Sequence, residues 1–85
     1  MAGYKLEIKK SATKEIEHLP LDDCRRVVAK IQGLVMQPRP FGCEKLTGEE
    51  KYRIRQGNWR VLYEIDDEEL IVTVVKIAHR REAYR

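Results

Sequence analysis

Arginines occur in the second half of this chain at positions that a β-hairpin would bring side by side. Arg53 and Arg55 precede a Gly57-Asn58 pair, and Arg60 follows it. Glycine tolerates a positive φ at the first central position of a two-residue turn and asparagine at the second, so this pair predicts a tight hairpin turn. In the resulting register, Arg55 lies directly opposite Arg60. Facing like charges destabilise a hairpin, and an anionic group such as phosphate would remove that penalty.

The same register sorts the side chains of the hairpin onto two faces. Its other facing pairs are Gln56 with Trp59, Ile54 with Val61, Arg53 with Leu62, and Tyr52 with Tyr63. The large apolar side chains other than Leu62 fall on one face, which supports the register independently. We therefore expect one face that packs on a core and one open face that carries Arg53, Arg55 and Arg60.

The final segment of the chain is predicted to bring further basic residues to the same edge of the sheet. A two-residue turn at Asp67-Glu68 would place the next strand beside the hairpin, with Val75 near Arg60. That strand would end at the hairpin turn, so the segment 79–85 would emerge beside the hairpin arginines. This segment reads His79-Arg80-Arg81-Glu82-Ala83-Tyr84-Arg85.

Two interpretations of this basic cluster are open at the level of residue types. Arginine is common at solvent-facing strand positions, and the open face of an antiparallel sheet is normally polar. A facing arginine pair combined with a basic tail, a histidine and Tyr84 is instead typical of a phosphate-binding surface. Guanidinium groups bind phosphate through parallel hydrogen bonds, and a tyrosine ring can stack on a base. We favour this second interpretation for the cluster as a whole.

Length and composition predict one small soluble domain that spans residues 1–85. The chain has 85 residues, of which 42% are hydrophobic and 36% charged, and this balance is unlike that of a disordered tail or a membrane protein. We recognise no transmembrane segment and no signal peptide, so we expect a cytoplasmic protein. Cys24 and Cys43 match no metal-ligand spacing, and no metal site is expected. The formal net charge of +3 favours an anionic partner.

The first half of the chain predicts a strand followed by two helices. Apolar and charged residues alternate over residues 4–9, as is typical of a half-buried strand. Apolar residues at helical spacing then predict a short helix that is N-capped by Ser11 and ends at Pro20. A longer helix follows, which Asp22 or Asp23 would cap and which Pro38 and Pro40 would end.

The second half predicts three strands joined by short turns, over residues 52–56, 59–65 and 70–78. Residues 41–51 are interpreted as a loop, in which Lys45 could approach a phosphate or remain solvated. The chain therefore predicts an α+β domain made of a strand, a two-helix hairpin and a three-stranded antiparallel meander. The helices would cover one face of a small, mostly antiparallel sheet.

Several short motifs, in their order and spacing, resemble the RelE-type toxins of the RelE/ParE toxin–antitoxin superfamily. They are Lys45-Leu46-Thr47-Gly48, Tyr52-Arg53-Ile54-Arg55, Trp59-Arg60-Val61-Leu62-Tyr63-Glu64-Ile65 and the final segment 79–85. The resemblance spans nearly the whole chain, and members of the family share the element order predicted above. It implies the toxin of a type II toxin–antitoxin system that cleaves mRNA in the ribosomal A site and so inhibits translation.

The resemblance further implies a reaction without metal or cofactor, in which the ribose 2′-hydroxyl attacks the adjacent phosphate and expels the 5′-oxygen. Such a reaction needs cations for the phosphorane charge and a proton source for the leaving oxygen. By position, Arg60 would bind the scissile phosphate, Arg80 would stabilise or protonate the leaving oxygen, and Arg55 would organise the 2′-hydroxyl. Tyr84 would position a base. His79 is the candidate general base, because arginine is not deprotonated in proteins and histidine titrates near neutral pH.

The remaining implied roles concern binding. Arg53, Lys45, Arg81 and Arg85 are expected to contact RNA. The expected partners are a cognate antitoxin, the ribosome and its mRNA, with DNA contacted only through the toxin–antitoxin complex and no membrane involved. Two alternatives are open: a ParE-type poison of DNA gyrase with the same fold, and a non-catalytic RNA-binding domain. The combination of Arg60, Arg80 and Tyr84 favours the nuclease over the gyrase poison.

Overall fold

The computed structural model describes residues 3–46 and 50–81, and within them the chain forms two helices and a five-stranded sheet. The elements are β1 Lys5–Ile8, α1 Lys10–Glu17, α2 Leu21–Gly33, β2 Glu44–Lys45, β3 Lys51–Gln56, β4 Trp59–Asp66 and β5 Ile71–His79. Across the sheet the strand order is β1-β5-β4-β3-β2. The pair β1 and β5 is parallel and the other pairs are antiparallel. The predicted α+β architecture is confirmed.

Both helices pack on one face of the sheet through a narrow apolar stripe. Ala12 and Ile16 of α1 and Val27 and Ile31 of α2 are buried, each pair four residues apart and therefore on one side of its helix. Leu34, which follows α2, is also buried. These side chains meet the inward-facing residues of the sheet in a single core. The other face of the sheet is left open by the helices.

The helix ends differ from the predicted ones. Lys9 rather than Ser11 is the N-cap of α1, and Pro20 rather than Asp22 or Asp23 is the N-cap of α2. Asp22 and Asp23 lie inside the first turn of α2, where their negative charges interact favourably with the helix dipole. The helix ends at Gly33, before Pro38, because residues 34–36 form a turn.

The hairpin of β3 and β4 has the predicted register. Gln56 lies opposite Trp59, Arg55 opposite Arg60, and the pairing continues to Tyr52 opposite Tyr63. Gly57 has a φ of 60°, the left-handed conformation that the turn requires and that glycine adopts without steric cost. The turn and the alternation of side chains therefore fix the position of the three strand arginines.

The register of β4 and β5 differs from the predicted one. The residue opposite Arg60 is Ala78, which lies three positions further along β5 than the predicted Val75. One cause is the turn, which runs over residues 67–70 and is stabilised by Asp66 Oδ1, an acceptor for the backbone N–H of both Glu68 and Glu69 at 3.0 Å. The other cause is an irregularity between Leu62 and Tyr63, whose partners are Lys76 and Val74.

Val75 is thus the extra residue of a β-bulge in β5. A bulge reverses the alternation of side chains beyond it. Val74 and Ile77 are consequently both buried on the helix-covered face, although they are three residues apart. Without the bulge, Lys76 would point into the core. The bulge therefore keeps the distal end of β5 in a register that buries its apolar residues.

The short strand β2 was not predicted, because residues 41–51 were interpreted as a loop. Glu44 pairs with Arg53 and Lys45 with Tyr52 along the outer edge of β3. Facing residues of neighbouring strands share a side of the sheet. Glu44 therefore joins the strand arginines on the open face, and this placement alters the electrostatics of the site.

Candidate functional site

The arginines predicted to act together come from β3 and β4 and share the open face of the sheet. Ile54 and Val61, their neighbours along the two strands, are buried on the opposite face. Because successive residues of a strand alternate between faces, Arg53, Arg55 and Arg60 project away from the helices. Arg55 is exposed, whereas the side chain of Arg53 is largely covered.

Arg60 is the buried charged residue of the described chain, with 5% of its surface exposed. Its Nη1 donates to the backbone carbonyl of Trp59 at 3.1 Å and to that of Gly57 at 3.4 Å. Within the residues that the structure describes, its Nε is buried and has no hydrogen-bond acceptor. Buried polar groups are normally paired, and a buried charge without full compensation destabilises the fold. Burial of this guanidinium therefore lowers the stability of the fold, and an anion bound beside it would offset that loss.

Glu44 adds one carboxylate to this basic cluster. Arg53 Nη2 donates to Glu44 Oε1 at 2.9 Å, and Arg53 Nε lies 3.3 Å from the same oxygen. The hydrogen bond from Arg53 lowers the pKa of Glu44, and attraction to Arg55 and Arg60 lowers it further. Glu44 is therefore anionic at neutral pH, and its negative charge partly offsets the positive potential of all three arginines. Sequence reasoning missed it because a two-residue strand leaves no periodic signal.

The structure does not bring Lys45 together with the arginines. Lys45 pairs with Tyr52, so it lies on the helix-covered side, and its Nζ is 3.3 Å from Glu50 Oε1. This end of the sheet also holds an ionic network in which Arg39 contacts Asp67 at 2.8 Å and Tyr52 at 3.1 Å. Lys45 thus belongs to an acidic neighbourhood, away from the strand arginines.

His79 also lies apart from Arg55 and Arg60. It is opposite Trp59 in the sheet, and the two rings meet edge to face with 5.4 Å between their centroids. Because Trp59 and Arg60 are consecutive in β4, His79 and Arg60 leave the sheet on opposite faces. The backbone N–H of Arg81 donates to His79 Nδ1 at 3.4 Å. His79 therefore lies at the same end of the sheet as Arg55 and Arg60, but on the opposite face.

The basic tail does begin at the hairpin turn, as predicted. The backbone N–H of Arg80 donates to the carbonyl of Asn58 at 2.7 Å. The side chains of Arg80 and Arg81 are exposed. Tyr84 and Arg85 lie outside the described residues, as do Thr47 and Gly48 of the first motif. The tail arginines that are described therefore start at the end of the sheet where Arg55 and Arg60 lie.

The opposite end of the sheet is acidic. The lining of a concave surface there includes one ammonium group, from Lys51, and six carboxylates, from Glu7, Glu50, Glu64, Asp66, Asp67 and Glu68. Hydrogen bonds from Arg39 and Tyr4 lower the pKa of Asp67, so this end retains its negative charge. The open face is therefore electrically polarised, with cations towards the hairpin turn and carboxylates towards the β4–β5 turn. Such a field orients an anionic ligand towards the arginines.

Residues 3–46 and 50–81 lack two kinds of feature. These residues contain no group of three or more histidine, cysteine, aspartate or glutamate side chains placed to hold a metal ion. Neither of their helices has the length and apolar character needed to cross a bilayer.

Comparison with known proteins gives consistent matches over nearly the full length. Residues 6–84 match the family model for the ParE toxin of the type II toxin–antitoxin system parDE. A curated protein of Methanocaldococcus jannaschii, RelE1, is 31% identical in an alignment of 86 positions that covers 96% of this chain and 96% of that one.

Solved structures give the same result at the level of the fold. A chain of the archaeal RelE–RelB complex from Pyrococcus horikoshii is 30% identical, with a TM-score of 0.83 over 92% of this chain and 96% of that one. A chain of the toxin–antitoxin complex RelBE2 from Mycobacterium tuberculosis is 27% identical, with a TM-score of 0.80 over 92% of this chain and 99% of that one.

Proposed function

Because the chain belongs to the RelE/ParE family of toxins from type II toxin–antitoxin systems, we propose that it is an endoribonuclease that cleaves mRNA in the ribosomal A site. Cleavage there would inhibit translation in the cytoplasm until a cognate antitoxin binds the toxin. The antitoxin is proposed by analogy, since the similar chains from Pyrococcus horikoshii and Mycobacterium tuberculosis come from complexes with antitoxins. DNA would be contacted only through that complex.

The observation that carries this proposal is the buried guanidinium of Arg60, which faces Arg55 and whose Nε has no acceptor among the described residues. In the proposed reaction the 2′-hydroxyl oxygen forms a bond to phosphorus, and the bond from phosphorus to the 5′-oxygen breaks. Negative charge accumulates on the phosphoryl oxygens and then on the leaving oxygen. Preorganised cations at that point lower the barrier, because they need no reorientation during the reaction. Arg60 would meet the phosphoryl oxygens, while Arg55 would align the 2′-hydroxyl.

The remaining roles follow from position. Arg80 would stabilise or protonate the leaving oxygen, and Tyr84 would position a base. His79, on the face opposite Arg60, could serve as general base only through RNA that passes around the end of the sheet. A mechanism in which arginines align the substrate and bind the phosphate, without proton abstraction by His79, therefore has the stronger geometric support. Arg53, Arg81 and Arg85 would contribute charge for RNA binding, and Lys45 would contribute least because it pairs with Glu50.

Expression of the chain without an antitoxin tests the proposal. Growth and translation are expected to stop, and primer extension is expected to reveal new mRNA 5′ ends inside coding regions. An Arg60→Met variant expressed at the same level should produce neither effect. Intact mRNA accompanied by cleavage complexes of DNA gyrase would instead support the gyrase-poison function, which the match to the ParE family model favours. Bound but uncut mRNA would support a non-catalytic RNA-binding domain.

Glu44 gives a second, more local test, because its carboxylate competes with phosphate for Arg53. Glu44→Gln is expected to raise the affinity for an RNA oligonucleotide blocked by a 2′-O-methyl group by about two- to fivefold, the range set by an exposed ion pair. The affinity is measured by titration at low salt. Glu68→Gln is the matched control, since it makes the same change in net charge at the acidic end. Equal affinities of the two variants would show that Glu44 does not occupy the phosphate site.

A further inference from the structure

A second concave site lies around the edge of the sheet from the arginine face, between α1 and the distal end of β5. It has a volume of about 400 Å³, and its lining includes Lys14, Glu15, His18, Trp59, Lys76 and His79. This volume falls within the range of small-molecule binding sites. We call this concavity the β5-edge pocket. None of its residues has a role in the phosphate chemistry proposed above except His79.

Hydrogen bonds fix the side chains that form the walls of the β5-edge pocket. Trp59 Nε1 donates to Asp23 Oδ2 at 3.1 Å, which anchors the indole to the first turn of α2. His18 Nδ1 lies 2.7 Å from the backbone carbonyl of Lys14. Because a carbonyl only accepts, Nδ1 carries the proton, and Nε2 of His18 is left to interact with a ligand. The edge-to-face contact of Trp59 and His79 completes an aromatic wall.

The charges of the β5-edge pocket favour an anion. Lys14 and Lys76 contribute two ammonium groups beside the imidazole rings of His18 and His79. Glu15 is already engaged: its Oε1 accepts the backbone N–H of Ile77 at 2.8 Å, and its Oε2 lies 3.4 Å from Lys76 Nζ. Glu15 thus satisfies the free edge of β5 beyond the end of β1. An anionic group that reaches Lys14 meets a net positive lining beside an aromatic surface.

The pocket lies at the same end of the sheet as the proposed cleavage site, on the other face. Trp59 of the pocket directly precedes Arg60, and His79 of the pocket directly precedes Arg80. The hydrogen bond from Arg80 N–H to Asn58 holds both strand ends together. A single-stranded nucleic acid that passes from the arginine face around this end of the sheet meets the pocket on the helix-covered side. Aromatic side chains with cations alongside are the usual surface for an unpaired nucleotide.

We propose that the β5-edge pocket binds one nucleotide of the substrate RNA next to the cleaved phosphodiester. Its base contacts Trp59 and His79, and its phosphate lies beside Lys14 and Lys76. The inference rests on the proposed function for the identity of the ligand as RNA. It adds a subsite on the helix-covered side, away from the arginines that act on the scissile phosphate.

Intrinsic fluorescence provides a direct test, because Trp59 is the single tryptophan of the chain. The probe is an RNA oligonucleotide of six residues with 2′-O-methyl groups, which cannot be cleaved by attack of the 2′-hydroxyl. Its titration at low salt is expected to change the Trp59 emission of the parent protein. In a Lys14→Ala/His18→Ala variant the affinity is expected to fall about tenfold, and its dependence on salt to weaken. Lys10→Ala/Lys30→Ala, which changes exposed helix lysines outside the pocket, should bind like the parent.

The outcomes separate this inference from the proposed function. Thermal unfolding of each variant is measured first, and a fold that melts like the parent makes the affinities comparable. If the parent cleaves mRNA and the Lys14→Ala/His18→Ala variant binds the oligonucleotide as tightly as the parent, the proposed nucleotide subsite is wrong and the proposed nuclease function stands. If the parent does not cleave mRNA and the variant loses affinity tenfold, the proposed nuclease function is wrong and the pocket stands as a site that binds RNA. An oligonucleotide that leaves Trp59 emission unchanged, or a change produced only by antitoxin, would overturn the pocket as an RNA subsite.

Discussion

Replacement of Arg60 by methionine is expected to lower the rate of RNA cleavage by about a hundredfold to a thousandfold, the usual effect of removing one preorganised donor. The folded protein should be as stable as the parent or more stable. Arg60 is 5% exposed, faces Arg55, and has a buried Nε without an acceptor among the described residues. Methionine fills a similar space with a flexible apolar chain and removes both the repulsion and the unpaired donor.

Two measurements check this expectation. Single-turnover cleavage on ribosomes programmed with one defined codon gives the rate, and urea denaturation gives the free energy of unfolding. Arg26→Met is the matched control, because Arg26 is an exposed arginine on α2. A parental cleavage rate in the Arg60→Met variant would show that Arg60 does not act on the phosphate. A variant that loses both activity and stability would show that Arg60 is required for the fold.

Replacement of Tyr63 by alanine is expected to lower the free energy of unfolding by about 3–5 kcal/mol, as for other large aromatic residues in cores. Tyr63 is fully buried, stacks on Tyr52 with 5.8 Å between ring centroids, and donates its hydroxyl to the carbonyl of Pro38 at 2.7 Å. Small domains are stable by about 5–15 kcal/mol, so this single change removes a large part of the total. Urea denaturation measures the loss directly.

Tyr63→Phe separates the ring from the hydroxyl. This variant keeps the packing but leaves the carbonyl of Pro38 without its donor, which is expected to lower the free energy of unfolding by about 1–2 kcal/mol. Burial also raises the pKa of Tyr63, so the hydroxyl stays protonated and able to donate over the whole neutral range. A phenylalanine variant as stable as the parent would contradict a stabilising role of the bond to Pro38.

The arrangement of β3 and β4 could be predicted because its signals are local. A turn pair at Gly57-Asn58 and a strict alternation of side chains both specify one register, and they agree. The register of β5 could not be predicted from the same rules. Its turn depends on Leu70 adopting a φ of 56°, which few residues other than glycine adopt. The spacing of Val74 and Ile77, three residues apart, is the one trace of the bulge in the sequence.

The candidate site was predictable in its composition but not in its environment. The pairing of Arg55 with Arg60 followed from the hairpin, and the tail was expected at its turn. The burial of Arg60 and the approach of Glu44 depend on segments that are distant in sequence, so no local pattern contains them. The separation of His79 from Arg60 depends on the bulge, which sets the face that each residue of the distal β5 occupies.

The pairing of β1 with β5 affects the order in which parts of the protein can fold during synthesis. The strands β3, β4 and β5 can pair soon after synthesis because short turns join them, whereas β1 must wait for the last described strand. Contacts between distant parts of a chain close late, since they require a long loop to be ordered first. Until β5 is available, β1 has no partner strand and α1 lacks the strand on which it packs, whereas α2 can already contact β3 and β4. Assembly of the sheet therefore depends on a contact between the first and the last described strands, so the complete sheet is expected to form more slowly than its β3–β4 hairpin.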